Sequence, residues 1–346
     1  MQTRRIAAVL GTVTLSAAGP ASAELVISNW DGYMAPDAVD RFSEETGTEA
    51  ELVLHATNEE IMGKLIASDG AGYDVVFVSS PFAEVLRNLG LAAEIDPDKV
   101  PNLANLYPEA QALEHDPGNT FSVPYAWGTT GLCYRSDLLA EAPDSWNDLL
   151  DPSEDVSGKT TMLATDRWLL GAGFLANGMS VNETDPEMLE TVKQDLIEAK
   201  RTLLAYDDTT FYAKLVSGEA VLVQAWDGWC NYGIAENPDI EYVVPEEGSD
   251  LWVDTMVILE ASEDKDAAHA FVNWILDAEN HGWAAENILY KVPNQPAMEA
   301  LSPELIESFP NMGMTPADMA VFEQLRDVGE AQRAYSRLVS EIRAAE

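Results

Sequence analysis

Apolar and polar positions alternate along the chain in blocks that predict strands and helices in turn. Leu25-Val26-Ile27 reads as a strand, and Asn29-Trp30-Asp31-Gly32 as a turn. Pro36 then opens a helical stretch with Val39 and Phe42 on one face, which Gly47 ends. Ala50 to His55 is a second strand. Thr57, three residues before Glu60, is a capping-box start for a helix carrying Ile61, Leu65 and Ile66. The run Tyr73 to Val78 is continuously apolar, and a helix with Val85 and Leu86 follows and stops near Gly90. Further along, Phe121 to Tyr134 is extended, Thr160 to Ala164 a strand and Pro186 to Ala205 helical. Ala220 to Ala225 is a buried strand ending at Trp226-Asp227-Gly228-Trp229. Leu251 to Leu259 is another strand, Lys265 to Glu286 one helix, and Thr315 to Glu346 a helical tail. Strands alternating with helices predict an α/β fold with a parallel sheet, in which ligands bind beyond the carboxyl ends of strands. Those ends carry Asn29 to Tyr33 and Ser79-Ser80.

Charge narrows the partners. The 346 residues hold 60 Asp plus Glu against 19 Lys plus Arg, a formal net charge of −41. A chain of this sign repels nucleic acid and anionic membrane surfaces, which are engaged by clustered Lys and Arg. The 47% of hydrophobic residues and nine Trp exclude disorder, and the length suggests two domains. Arg4 and Arg5, the uncharged stretch Ile6 to Ala18 and the small-residue sequence Ala21-Ser22-Ala23 have the form of a secretory signal peptide, cleaved between Ala23 and Glu24. Losing its two Arg takes the charge from −41 to −43. The paired Arg leaves twin-arginine export open beside the general route. Cys133 and Cys230 are too few for a disulfide scaffold, and the sequence leaves open whether they pair.

The available chemistry favours binding over catalysis. His55, His115, His269 and His281 are scattered without metal-ligand spacing, two distant Cys do not form a zinc motif, and no nucleophile elbow, Walker loop or dinucleotide fingerprint is present. No cofactor and no metal are expected. The informative positions are those where rings and carboxylates fall together: Trp30-Asp31 with Tyr33, Asp166 with Trp168, Trp226-Asp227 with Trp229, and Trp252 with Asp254, the last two leaving one face of a strand. A ring face beside a carboxylate suits an organic ammonium, each cation-π contact contributing on the order of 0.5 to 2 kcal/mol once desolvated. A secreted hydrolase using paired carboxylates is the alternative from another class.

An ordered set of motifs resembles the periplasmic polyamine-binding proteins that feed spermidine and putrescine to ABC importers. It comprises Asn29-Trp30-Asp31-Gly32-Tyr33, Tyr73-Asp74-Val75-Val76 followed by Ser79, and Pro124-Tyr125-Ala126-Trp127-Gly128-Thr129. Ser145-Trp146-Asn147-Asp148-Leu149, Trp252-Val253-Asp254 and Tyr290-Lys291-Val292-Pro293-Asn294 complete it. The resemblance implies two α/β lobes joined by a hinge with the ligand cleft between them: residues 24–127 plus about 253–300 in lobe 1, and about 128–252 plus 301–346 in lobe 2. It implies a monomer that captures putrescine or spermidine in the periplasm and delivers it to an ABC permease in the inner membrane, without covalent chemistry. In the site it implies, Trp30 and Tyr33 line one wall, Ser79 offers a hydroxyl, Trp226 and Trp252 sandwich the methylene chain, Asp254 holds an ammonium group and Tyr290 closes the site. Asp208 falls near a polar contact position, and Asp31 and Asp227 are additional acids. The chain departs from the pattern at one amine-binding end. An acid pair of the Asp-x-x-Glu type is replaced by Thr165 or Asp166 with Trp168, and Leu325, beside Gln324, stands where the family has a Gln. That end is more aromatic than the family pattern, so another organic amine, methylated or quaternary, is the alternative ligand.

Overall fold

The computed structural model describes residues 24–345; the signal-peptide reading therefore lies outside the described residues. Ten strands form one sheet: β1 (Leu25–Trp30), β2 (Ala50–His55), β3 (Val75–Ser79), β4 (Val123–Arg135), β5 (Thr160–Met162), β6 (Leu203–Tyr206), β7 (Leu222–Trp226), β8 (Ile240–Val243), β9 (Asp250–Ile258) and β10 (Glu323–Gln324). The order along the sheet is β2-β1-β3-β9-β4-β7-β5-β6, with β10 beside β9 and β8 beside β4. The α/β class predicted from the alternation holds, but the sheet is mixed. β1 pairs in parallel with β2 and β3, and β5 with β6 and β7, because a helix carries the chain back between these strands. β9 enters antiparallel between β3 and β4, and β4 runs antiparallel to β7 and β8.

β4 joins the two halves. Its residues Val123–Thr129 pair with β9, while Thr130–Tyr134 pair with β7 and Leu132–Arg135 with β8. Nearly every residue of it is buried, which explains an apolar run too long for an ordinary strand. β3 is buried throughout, as its unbroken apolar run requires, whereas edge strand β2 leaves Leu52 and Leu54 exposed.

Three predicted helices end differently. The Pro186 stretch is helical only over Pro186–Ala199, and Leu203–Tyr206 becomes strand β6, where edge pairing with β5 overrides helical propensity. The Lys265 helix is two, Lys265–Ile275 and Ala278–Ile288, because Asp277 turns its carboxylate onto the Glu279 N–H and starts a new helix. The tail becomes continuous helix only at Gln332–Ala344. The start at Thr57 is as predicted: its hydroxyl accepts from the Glu60 N–H at 3.1 Å, while the Glu60 carboxylate reaches back to the Ala56 N–H at 2.8 Å.

Cys133 on β4 and Cys230 on the Asp227–Glu236 helix form a disulfide across a sequence separation of 97 residues. Closing a loop of that size removes denatured-state entropy, so replacing both cysteines by Ala should lower unfolding stability by about 2–5 kcal/mol. A denaturant titration of the double variant, expected to show a lower midpoint and a slope that rises as the denatured chain expands, checks this.

Candidate functional site

The carboxyl ends of β1, β2, β3 and β7 open on a cavity of about 470 Å³. β1 ends in Trp30. A turn through Gly32, whose φ of +68° suits glycine, then brings Tyr33 back under it. The Tyr33 carbonyl accepts from the Asn29 amide at 3.1 Å and the Tyr125 hydroxyl at 3.0 Å, and these two bonds fix the turn. Ser79 ends β3 in register with Asp254 on β9.

Asp254 is the centre of the site. Ser79 Oγ donates to its Oδ1 at 2.6 Å and the Tyr33 hydroxyl to its Oδ2 at 2.8 Å. Ser79 is itself oriented by Asn58, whose amide nitrogen donates to Oγ at 3.1 Å and whose amide oxygen accepts the Ser79 N–H at 3.0 Å. Burial pushes the Asp254 carboxyl up to about 6, only partly offset by these two hydrogen bonds, and no cationic side chain contributes. A half-buried carboxylate held between two donors without a counter-ion is poised to take a cation from the cavity. The phenols of Tyr33 and Tyr290 are driven well above their ordinary range, chiefly by burial, so both stay protonated.

Aromatic rings surround this group. Tyr33 meets Trp30 and Tyr290 edge to face at 5.5 and 5.2 Å, and Trp252 meets Tyr290 at 5.5 Å. On the opposite wall Trp168 and Trp226 cross at 88° with centroids 5.3 Å apart. Two glycines make room for the rings. A Cβ on Gly228 would lie 2.3 Å from the Tyr290 ring, and one on Gly128 would lie 2.4 Å from Trp252.

Of the residues singled out from sequence, Trp30, Asp31, Tyr33, Ser79, Trp168, Asp208, Trp226, Trp252, Asp254 and Tyr290 all line the cavity. Asp208 Oδ1 accepts from the Ala164 N–H at 2.5 Å, and burial raises its carboxyl above the ordinary range. Two acids are corrected. Asp227 points behind the wall, where its carboxylate forms an ion pair with Lys291 and accepts the Thr129 N–H at 3.1 Å; the two side chains are 1% and 2% exposed. With its charge neutralised, Asp227 has none to offer a ligand. Asp166, in the first turn of the Asp166–Ala176 helix, accepts from Ser336 Oγ at 2.7 Å and lies outside the cavity lining. Leu325 is core, and Gln324 is turned to His115 Nδ1 at 2.7 Å, so neither reaches the site. The sequence reading missed His55, Ala56, Thr57, Asn58 and Thr209 as lining residues and left Thr165 and Trp229 out of the site. The signal for the first four was present: His55 ends β2 and the other three follow directly on it, and the carboxyl end of β2 lies beside that of β1.

A half-buried acceptor for a cation, walled by rings and with no cluster of metal-binding side chains among the described residues, is the site of a protein that captures a cationic solute. The profile described as bacterial extracellular solute-binding protein matches residues 37–312, and the chain belongs to that family. It is similar to the spermidine/putrescine-binding periplasmic protein of Salmonella typhimurium, at 29% identity over 92% of this chain and 91% of the relative. It is also similar to the putrescine/cadaverine-binding protein of Pseudomonas aeruginosa, at 28% identity over 97% and 98%. Among solved structures, the spermidine/putrescine ABC transporter substrate-binding protein PotD of Streptococcus pneumoniae superposes with a TM-score of 0.78, at 30% identity over 92% of this chain and 98% of that one.

A bound ammonium favours the ionised form of Asp254, so binding expels a proton wherever the free protein holds one. Affinity for an amine should be flat above pH 7 and fall as pH drops through about 6, at least fivefold weaker at pH 5 than at pH 7.5. Calorimetry at the two pH values checks this, and equal affinities would show that Asp254 is not the partner. Gly228→Ala, which touches no ligand, should weaken the same binding at least tenfold by driving Tyr290 off its position. A titration of that variant measures the effect.

Proposed function

We propose that this protein is a periplasmic receptor that captures an aliphatic polyamine of the putrescine–spermidine class and hands it to an ABC importer in the inner membrane. The observation that carries the reading is Asp254: a carboxylate without a counter-ion, held by Ser79 and Tyr33 on the floor of an aromatic cavity. One protonated nitrogen seats on Asp254, and the methylenes that follow lie between Trp226 and Trp252. The names borne by the relatives support this ligand class.

Two lobes, residues 24–127 with about 253–300 and about 128–252 with 301–346, close over the ligand at a hinge. The change of pairing partner along β4 between Thr129 and Thr130 supports a hinge there. Trp30, Tyr33 and Asp254 then approach from one lobe and Trp168, Asp208 and Trp226 from the other, so ligand contacts favour the closed state. Residues 1–23 act as the export signal of a monomer that needs no membrane span of its own; among the described residues no helix is long and apolar enough to cross a bilayer. The site binds and releases without turnover.

Calorimetry with putrescine and spermidine tests the proposal, with one-to-one binding and unchanged ligand recovered afterwards as the expected result. Asp254→Asn should weaken that binding at least tenfold and leave the far-ultraviolet circular dichroism intact, since it removes the charge and keeps the shape. Unaltered affinity in the variant, or recovery of a product, would sink the assignment.

A further inference from the structure

β9 carries a second acid in line with the first. Asp250, Trp252 and Asp254 are two residues apart, so their side chains leave one face of the strand, and four residues put roughly 13 Å between Asp250 and Asp254. Trp252 and Asp254 line the cavity, whereas Asp250 lies outside the lining and is 4% exposed. Burial pushes its carboxyl up to about 6, so it is ionised at neutral pH. Arg167 is the one cationic side chain that acts on it. The Arg167 guanidinium is committed to the carbonyls of Arg326 and Val181 and to Asn182 Oδ1, and Arg167 Nε and Asp250 Oδ2 both remain without a partner.

The register sets this acid behind one of the cavity rings. Thr129 pairs with Leu251, so the next step of the ladder brings Thr130 opposite Asp250, and on its other side Thr130 pairs with Trp226. Directly opposed residues share a face of the sheet, which puts Asp250 and Trp226 on the same side, two strand spacings or roughly 10 Å apart. The Trp168 ring lies across Trp226 with centroids 5.3 Å apart. Its indole N–H and the Thr130 hydroxyl are the two side-chain donors whose approach favours the ionised form of Asp250. Trp168 Nε1, Thr130 Oγ1 and Asp250 Oδ2 are all sealed from solvent, just short of full hydrogen-bond geometry with one another, and none is bonded elsewhere.

A sealed donor beside a sealed carboxylate has only that carboxylate to turn to. The attraction orients the indole, and a negative charge at its N–H edge polarises the ring, making its π-face a stronger acceptor for a cation than that of an indole with a neutral partner. Trp168 lines the cavity on the wall opposite Asp254, so the polarised ring meets whatever Asp254 does not hold. Asp208 is the rival partner on that wall, but its Oδ1 is taken up by the N–H groups of Ala164 and Thr165.

We propose, resting on the polyamine reading above, that Asp250 is a positioning residue of the ligand site: through the indole N–H it orients and polarises Trp168, whose ring receives the ligand's second positive charge. One amine nitrogen seats on the Asp254 carboxylate, and the other on a ring backed by a carboxylate that the ligand never touches.

Calorimetry with putrescine and butylamine tests this, because the two share a chain length and differ by the second charge; butylamine is measured by displacement of putrescine. The wild-type protein should prefer putrescine at least tenfold. Asp250→Asn keeps the shape and an acceptor for the indole but removes the charge, and it should cut that preference at least fivefold while changing butylamine affinity less. Trp168→Phe keeps a ring and removes the N–H, so it should lower the preference likewise, and it tests the contact from the other side if Asp250→Asn does not fold. Adding Asp250→Asn to Trp168→Phe should then change the preference by less than twofold. An undiminished preference in Asp250→Asn would overturn the proposal, and so would equal losses for both amines, the mark of an acid that serves the fold alone. A full further loss in the double variant would show the charge acting without Trp168 and would overturn it too. Failure of both amines to bind the wild-type protein would reject the polyamine reading itself, an outcome distinct from each of these.

Discussion

The site depends on keeping one carboxylate half-buried, oriented and unpaired. Asp254 lies in a strand between two others, half-buried at the wall of the cavity, where the usual response of an acid is to hold its proton or find a base. Two short hydrogen bonds from Ser79 and Tyr33 offset part of the cost, and much of the surrounding architecture holds those two donors still. Asn58 grips Ser79 from the helix after β2, and Asn29 and Tyr125 grip the Tyr33 carbonyl. The bare backbones at Gly128 and Gly228 let the surrounding rings close in. A site built this way gives up folding stability in the empty state and regains it when a cation arrives.

Asp227 shows the opposite solution to the same problem. It is more deeply buried than Asp254, yet Lys291 neutralises it and the N–H of Thr129 completes its shell. Breaking such a pair would strand a charge, so it pins β4, the Asp227–Glu236 helix and the segment after Tyr290 to one another. Two aspartates flanked by tryptophans in sequence thus divide into a structural charge and a cavity-facing one. The difference is whether the fold supplies the cation.

Residues 24–90 were legible because each element there is decided locally: a capping threonine, a terminating glycine, an apolar run bounded by turns. The cavity was legible because rings and acids gather at strand ends, and ten of the twelve candidate residues line it. What escaped is non-local. Nothing near Asp227 announces Lys291, and Leu203 to Ala205 read as helix until β5 is there to pair with them. The antiparallel insertion of β9 between β3 and β4 depends on a return of the chain that periodicity does not encode. His55 looked like one more scattered histidine. Its partner, Ser28, lies 27 residues earlier on the neighbouring strand.

Five of the nine tryptophans, Trp30, Trp168, Trp226, Trp229 and Trp252, line a single cavity. Trp168 and Trp226 are close enough for their transitions to couple. Ultraviolet light absorbed by this protein is therefore taken up in large part at the one place where solute and solvent exchange. The aromatic walls that supply recognition also make the molecule an optical gauge of its own occupancy, with no label attached.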